Sequence, residues 1–167
     1  MSEPEVWLRG RVVEGVPALL QPVAHSLLQC REEIEQLLTG TSVERIWHSE
    51  SAAASIGFHA LHAIGSLDRL FTYARGSMLS DEQRRALAQE SQPNHHLTAE
   101  NLLAAFDAAV QRALEQLRAT DEASLIDARF VGRSKLPSTV IGLLFHAAEH
   151  TQRHVGQIAT TRKLLAP

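Results

Sequence analysis

Apolar residues recur every three to four positions along most of the chain, which is the period of helices with one buried side. Little of the sequence alternates as a strand would. The pattern predicts four long helices at about residues 17–38, 52–74, 98–119 and 137–165. Four helices of about twenty residues are typical of an all-α four-helix bundle, so we predict that fold.

Residues that favour helix ends support these limits. Gly40 and Gly76 follow the first and second predicted helices, as glycine commonly does. Thr98 is a suitable N-cap for the third helix, and Pro137 suits the first turn of the fourth. Pro22 is close enough to the start of the first helix to kink it or to delay it.

Two long connections separate the second helix from the third and the third from the fourth. In the former, Ser80 and Gln83 have the spacing of a capping box, which predicts a short extra helix ending near Glu90. In the latter, residues 125–132 ("LIDARFVG") are the only strand-like segment. We expect one domain over residues 1–167, with any site between facing helices.

Composition and charge argue against several classes of function. The 167 residues carry a formal net charge of −3 without a block of lysine or arginine, so we expect no nucleic-acid partner. No segment approaches eighteen uncharged apolar residues, and the N-terminus lacks signal-peptide features, so we expect no membrane contact and a cytoplasmic location. The single cysteine, Cys30, is expected to be a packing residue.

Three histidines recur every four residues in the fourth predicted helix: His146, His150 and His154. On a helix they form one row, each rotated about 40° from the last. Gln157 and several apolar residues lie on the same side, so the row is expected to face inward. The row could hold a metal, transfer protons or line a core.

A pair of histidines four residues apart points two ring nitrogens toward one cation. Two helical histidines are half a site, so a third ligand should come from elsewhere. The second predicted helix offers His59 and His62, one turn apart at the edge of its apolar side. Periodicity alone favours His59, which lies about 60° nearer the centre of that side.

His146, Glu149 and His150 also match H-x-x-E-H, an inverted zinc-peptidase signature. That site needs another carboxylate ligand downstream, and no Asp or Glu follows His150. The Glu-x-x-His spacing of di-iron bundles is absent as well, because no glutamate lies three positions before any of the three histidines. Glu149 is expected to pair with Arg153 on the surface or, alternatively, to orient a ligand.

Two segments, "HAAEHTQRHVGQI" with "RKLL" and "SIGFHALHAIGSLDRLFTYARG", resemble the last and second helices of the DinB-like (DinB/YfiT) superfamily. The last helix of that family has a histidine, three residues, a second histidine and then x-Gly-Gln. The resemblance spans nearly the whole chain, since helix order and both connections agree. It implies a four-helix bundle, often dimeric, that holds nickel, zinc or a similar divalent ion on three histidines. By position these are His62, His150 and His154, so the resemblance favours His62 over His59.

The chain departs from the family pattern at Val155, where many members have arginine, so that arginine's substrate contact does not carry over. His146 is expected to lie near the metal without binding it. For Arg69 and Tyr73 the alternative to a pocket is a solvated boundary. The predicted substrate-pocket residues are His59, Arg69, Tyr73, His146 and Gln157.

Three neutral histidines leave a coordination position of a divalent ion open, as in catalytic metal sites. A water bound there would ionise near neutral pH, and a thiol would ionise more readily still. Some families that resemble this chain are S-transferases or isomerases that use a small cellular thiol. The leading hypothesis is a metal-dependent thiol S-transferase with a small-molecule electrophile as substrate and a low-molecular-weight thiol as cosubstrate. The alternatives are a metal-dependent hydrolase and a non-catalytic bundle that binds a metal or another ligand.

A second apolar strip follows the opposite side of the fourth predicted helix. A helix that is apolar on two sides must bury both. The strip meets either another helix of the chain or another subunit, and we expect a homodimer with this helix at the interface. Its residues are Ile141, Leu144, Ala148, Val155 and Ala159.

Overall fold

The computed structural model describes residues 3–49 and 53–165, which are mostly helical. Within these ranges the chain forms six α-helices and a two-stranded antiparallel hairpin, β1 (Ala128–Val131) and β2 (Leu136–Thr139), between the last two helices. None of these helices is long and apolar enough to span a membrane. The helices are α1 (Gln21–Leu38), α2 (Val43–Trp47), α3 (Ile56–Ala74), α4 (Asp81–Gln89), α5 (Ala99–Ala119) and α6 (Val140–Leu164).

The four predicted long helices are present as α1, α3, α5 and α6, and they share one apolar core. The most extensive contact is between α3 and α6; α6 also packs on α1, and α5 contacts both α1 and α3. Leu27, Leu67, Phe106 and Leu144 contribute one core side chain from each helix. Because α3 lies against α6, the histidines of these two helices can meet.

Side-chain caps define where α4 and α5, the two helices in the middle of the chain, begin. Ser80 and Thr98 each accept a hydrogen bond from the backbone N–H three residues later, and Gln83 and Asn101 return the contact. A cap of this kind stabilises a helix by about 1 kcal/mol. The predicted starts of the short helix and of the third long helix are therefore confirmed.

The first long helix begins later than the periodicity predicts. A 3₁₀ turn at Ala18–Leu20 precedes α1, and Pro22 lies in the first turn of the helix. The N–H groups of a first turn have no acceptor within the helix, so a proline there costs no hydrogen bond. Pro22 thus delays the helix and does not kink it. Helix α3 begins at Ile56 behind the cap Ser55, whereas the predicted start at residue 52 falls outside the described residues.

The prediction that Pro137 opens the last helix is wrong. Pro137 lies in β2 opposite Phe130 of β1, and α6 begins three residues later behind Thr139. A two-stranded hairpin consists of edge strands, which tolerate a proline. The strand-like residues 125–132 contain β1, as their pattern indicates.

The second apolar strip of α6 is covered within the chain. Leu144, Ala148 and Val155 are buried, while Ile141 and Ala159 are partly buried. Helices α3 and α1 are the helices that pack most extensively on α6. Most of the strip is therefore buried within the chain, and it does not require a second subunit to cover it.

Cys30 is a packing residue, as expected. Its side chain is fully buried, and its thiol donates a hydrogen bond to Gln152 Oε1 at 3.1 Å. Burial raises the pKa of the thiol to about 12, so it is not a thiolate at neutral pH.

Candidate metal centre

His62 of α3 lies beside His150 and His154 of α6 where the two helices are in contact. A ring nitrogen of each histidine lies within 4.8 Å of one from each of the other two. His62 Nε2 and His150 Nε2 are 3.1 Å apart, and the ring centroids of His150 and His154 are 4.6 Å apart. Nitrogen ligands at about 2.0–2.1 Å from one zinc ion are separated by a comparable distance.

Two of the three rings are held from behind by another side chain. His62 Nδ1 lies 2.8 Å from Glu90 Oε2, and His154 Nδ1 lies 3.0 Å from His59 Nδ1. Such partners fix the orientation and tautomer of a metal-binding histidine. Because both contacts engage Nδ1, the Nε2 atoms of these two rings are the ones available to a metal.

Glu90 is itself fixed by a second buried group. Arg69 donates from Nη1 to Glu90 Oε1 and from Nη2 to Oε2, the latter at 3.4 Å. Burial raises the pKa of Glu90, but hydrogen bonds from His62 and Arg69 outweigh this effect and hold the pKa below its usual value. Glu90 is therefore an ionised acceptor at neutral pH.

The two α6 histidines of the cluster and the adjacent His59 favour their neutral form. Burial, followed by the neighbouring His62, His150 and His59, lowers the pKa of His154 to about 4. Burial also lowers the pKa of His150 and of His59, and His62 adds to both effects. Neutral imidazole is the form that binds a metal.

This donor set fits a divalent transition-metal ion. Imidazole nitrogens suit zinc, nickel and copper better than magnesium or calcium. His150 Nδ1 is buried, and no described residue supplies it with a hydrogen-bond partner. Three protein nitrogens would leave a coordination position open to a further ligand, as in catalytic sites.

The sequence of this chain matches one family over most of its length. The match covers residues 26–158, and the family is described as the DinB superfamily. The chain belongs to the DinB superfamily. The family suggested by the histidine segments is therefore confirmed.

Two solved structures share the fold of this DinB superfamily protein. A conserved protein from Enterococcus faecalis is 20% identical, with a TM-score of 0.68 over 87% of this chain and 96% of that chain. A protein from Streptococcus pneumoniae is 9% identical, with a TM-score of 0.65 over 93% of this chain and 94% of that chain. No curated protein matches the sequence significantly. At these identities the two structures show the fold alone.

The predicted inward position of the whole histidine row is wrong. His146 and Gln157 are exposed, whereas His150 and His154 are partly buried. The buried side of α6 centres on Leu144, and the histidine row follows the edge of that side. His150 and His154 therefore border both the core and solvent, and His146 and Gln157 lie beyond the edge.

His146 belongs to a surface network. His146 Nδ1 lies 2.6 Å from Glu149 Oε1, and Arg153 Nη2 lies 2.8 Å from Glu149 Oε2. The predicted surface pair of Glu149 and Arg153 is present. The His146 ring is 5.4 Å from the His150 ring between centroids, and His146 is not part of the three-histidine cluster.

For Arg69 and Tyr73 the predicted alternatives are the border of a pocket and a solvated boundary; the solvated boundary is wrong, and the pocket stays a prediction. Both side chains are buried; Arg69 pairs with Glu90, and Tyr73 belongs to the apolar core. Helix α4 and the following Glu90 pack on this side of α3. The apolar periodicity of α3 alone does not indicate that packing. His59 does lie beside the centre, in contact with His154.

Sequence reasoning did not identify Glu90. Its position depends on how the end of α4 packs on α3, and no local sequence pattern indicates that packing. Gly65 is the signal that was available, since a glycine inside a helix indicates close approach by another group. A Cβ atom at residue 65 would overlap Glu90 Oε1.

Proposed function

We propose that this protein is a metal-dependent enzyme of the thiol S-transferase type that acts on a small electrophile. A divalent ion, nickel or zinc, would be bound by His62, His150 and His154. The observation that supports this best is the convergence of three imidazoles, one from α3 and two from α6, with the pKa values of the two α6 histidines lowered by burial. We further propose that the four long helices form a four-helix bundle, with the centre between two facing helices.

When bound, the ion would lower the pKa of a low-molecular-weight thiol or a water at its open position. Glu90 and His59 hold two of the ligand rings from behind. Phe58 stacks on the His62 ring, with 5.5 Å between centroids and 15° between planes, and restricts its rotation. His146, whose Nδ1 contacts Glu149, is exposed beside His150 with 5.4 Å between ring centroids, where it could accept a proton from an incoming thiol.

A homodimer and a cytoplasmic location stay predictions. The apolar strip of α6 does not support the dimer, because Leu144 and Val155 are buried within one chain. A dimer would therefore use other surfaces, such as the exposed Phe130, Leu136 and Phe145. Light scattering at micromolar protein concentration tests the dimer independently of the chemistry.

Metal analysis of protein purified without an affinity tag tests the binding step. We expect one zinc or nickel ion per chain in the wild type and none in His150→Ala. Protein without zinc, nickel or another transition metal that also fails to take up zinc or nickel would reject the proposal. Arg153→Ala is a suitable control because that exposed side chain hydrogen-bonds Glu149 and is not one of the proposed ligands, although its charge lowers the pKa of His150 and of His154.

A spectrum of the cobalt-loaded protein tests the reaction class. If a thiol is the cosubstrate, 2-mercaptoethanol should give a sulfur-to-cobalt charge-transfer band that His150→Ala lacks. An unchanged spectrum, together with metal-dependent cleavage of 4-nitrophenyl acetate, would favour a hydrolase instead. Neither effect would favour a non-catalytic metal-binding domain.

A further inference from the structure

Helix α4 is attached to the rest of the protein mainly by polar contacts. No residue of α4 is buried, so apolar packing does little to hold it. Gln83 Nε2 donates to Asp68 Oδ2 at 2.6 Å and to Thr72 Oγ1 at 2.8 Å, which ties the start of α4 to α3. The other end is tied by Glu90, which follows α4 directly and is only 6% exposed.

The two oxygens of Glu90 have different nearest partners, although Arg69 Nη2 also lies 3.4 Å from Oε2. Oε1 accepts from Arg69 Nη1, and Oε2 lies 2.8 Å from His62 Nδ1. Gly65 lacks the side chain that would exclude the carboxylate from this position. Arg69 and Gly65 therefore hold Glu90 in place, and its second oxygen is aimed at a histidine of the metal centre.

This contact determines which nitrogen of His62 carries the proton. An ionised carboxylate can only accept hydrogen bonds, so His62 Nδ1 must be the donor. When the ring is neutral, its lone pair is then on Nε2, the atom that lies 3.1 Å from His150 Nε2. With the other tautomer, Nε2 would carry a hydrogen and could not bind a metal.

We propose that Glu90 is a positioning residue that presents His62 Nε2 to the metal, and that metal binding in turn stabilises the docking of α4. The second half follows from the first by thermodynamic reciprocity: if docked Glu90 strengthens metal binding, bound metal strengthens docking by the same factor. The inference rests on the proposed metal binding. It adds a coupling between the centre and the segment from Asp81 to Glu90.

A buried ion pair between Arg69 and Glu90 would not by itself require this role. Such pairs contribute little net stability, because desolvation offsets their attraction. The pair does not need the third partner, His62, either, since Arg69 reaches both oxygens. The contact with His62 is therefore the observation that gives Glu90 a role in orienting a metal ligand.

Glu90→Gln is the variant that separates these roles, and Glu82→Gln, at an exposed position of α4, is its matched control. With an amide at residue 90, Arg69 retains the oxygen and the NH₂ group faces His62, which favours the wrong tautomer. Zinc titration by calorimetry should show about 10- to 100-fold weaker binding in Glu90→Gln. Glu82→Gln should bind as the wild type does.

Two further measurements report the mechanism directly. Nitrogen-15 NMR of the metal-free wild type should show His62 protonated on Nδ1, and Glu90→Gln should shift the proton toward Nε2. Amide hydrogen exchange in residues 81–90 should slow when zinc is added to the wild type, and slow much less in Glu90→Gln. A purely structural role for Glu90 would leave the His62 tautomer unchanged.

The outcomes distinguish this inference from the proposed function. Failure of the wild type to bind either zinc or nickel would reject the proposed function, and the coupling with it. Equal zinc affinity in Glu90→Gln and Glu82→Gln, with an unchanged His62 tautomer, would overturn only the role of Glu90. If Glu90→Gln does not fold, the wild type alone still tests the role of Glu90. That role would be overturned if NMR showed His62 protonated on Nε2, or if zinc did not slow amide exchange in residues 81–90.

Discussion

The Glu90 carboxylate lies in the space that a side chain at residue 65 would occupy. A Cβ atom on Gly65 would overlap Glu90 Oε1 and approach Arg69 Nη1 to 2.6 Å. Replacing a glycine inside a helix by alanine otherwise stabilises the helix by about 1 kcal/mol. We expect Gly65→Ala to lack this gain in urea unfolding and to weaken zinc binding, because Glu90 must move away from His62.

Gly156 provides the control for that experiment. It also lies inside a helix, and a Cβ atom there would have no neighbour within 4 Å. Gly156→Ala should raise the free energy of unfolding by about 0.5–1 kcal/mol and leave zinc binding unchanged. Equal stabilisation by both substitutions, with unchanged zinc affinity, would show that a methyl group at residue 65 does not displace the Glu90 carboxylate from His62.

His150 and His146 should respond differently to replacement, although both belong to the same row. His150→Ala removes one of three converging nitrogens and should weaken zinc binding by at least 100-fold. His146→Ala removes an exposed ring that contacts Glu149 and should leave one zinc per chain. Calorimetric titration measures both, and similar losses in the two variants would revive the H-x-x-E-H interpretation.

Val155 and Phe145 test where the apolar surface of α6 is buried. Val155 is 0% exposed and Phe145 is 62% exposed in a single chain. Val155→Glu should therefore prevent folding at any protein concentration, because an unpaired charge in the core costs several kcal/mol. Phe145→Glu should fold normally by circular dichroism. A folded, monomeric Val155→Glu would place the strip at a subunit boundary after all.

Acidification should destabilise the metal-free protein before the carboxylates titrate. The pKa of His154 is about 4 in the folded chain, against 6.5 for an ordinary histidine, and the pKa values of His150 and His59 are lowered too. Between these values the unfolded chain binds more protons, so stability is lost as the pH falls below 6.5. With a chelator present, we expect the free energy of unfolding to decrease by about 1–2 kcal/mol between pH 7.0 and 5.5, since solvent partly screens these rings.

His154→Gln is the control for the pH dependence. It removes the histidine with the largest shift, so its free energy of unfolding should vary less over the same pH interval. A variant as sensitive to pH as the wild type would assign the effect to other groups.

The features of the fold that depend on neighbours in sequence could be predicted. The caps at Ser80 and Thr98 and the four long helices follow from spacing along the chain. Helix α2 (Val43–Trp47) was not predicted, because five residues are too few to show a helical period. Trp47 holds it in place by packing on Gly57, where a Cβ atom would clash with the indole ring.

The parts of the site that depend on docking between segments could not be predicted. His62, His150 and His154 were identified from spacing and family resemblance. The ion pair of Arg69 with Glu90 joins residues 21 positions apart through the placement of α4, which no periodicity encodes. Pro137 shows the same limit, since pairing with Phe130 outweighs its preference for a helix start.

The direct passage from β2 into α6 restricts how the length of this chain can change. Thr139 pairs with Ala128 as the last residue of the strand, and its side chain also caps α6 through Gly142. An extra residue between Thr139 and Val140 would turn the helix by about 100° relative to the hairpin or break the strand pairing. An extra residue in the turn at 132–135 would change neither. Related sequences should therefore tolerate insertions at the tip of the hairpin and exclude them at its base, where the rotational phase of His150 and His154 is set.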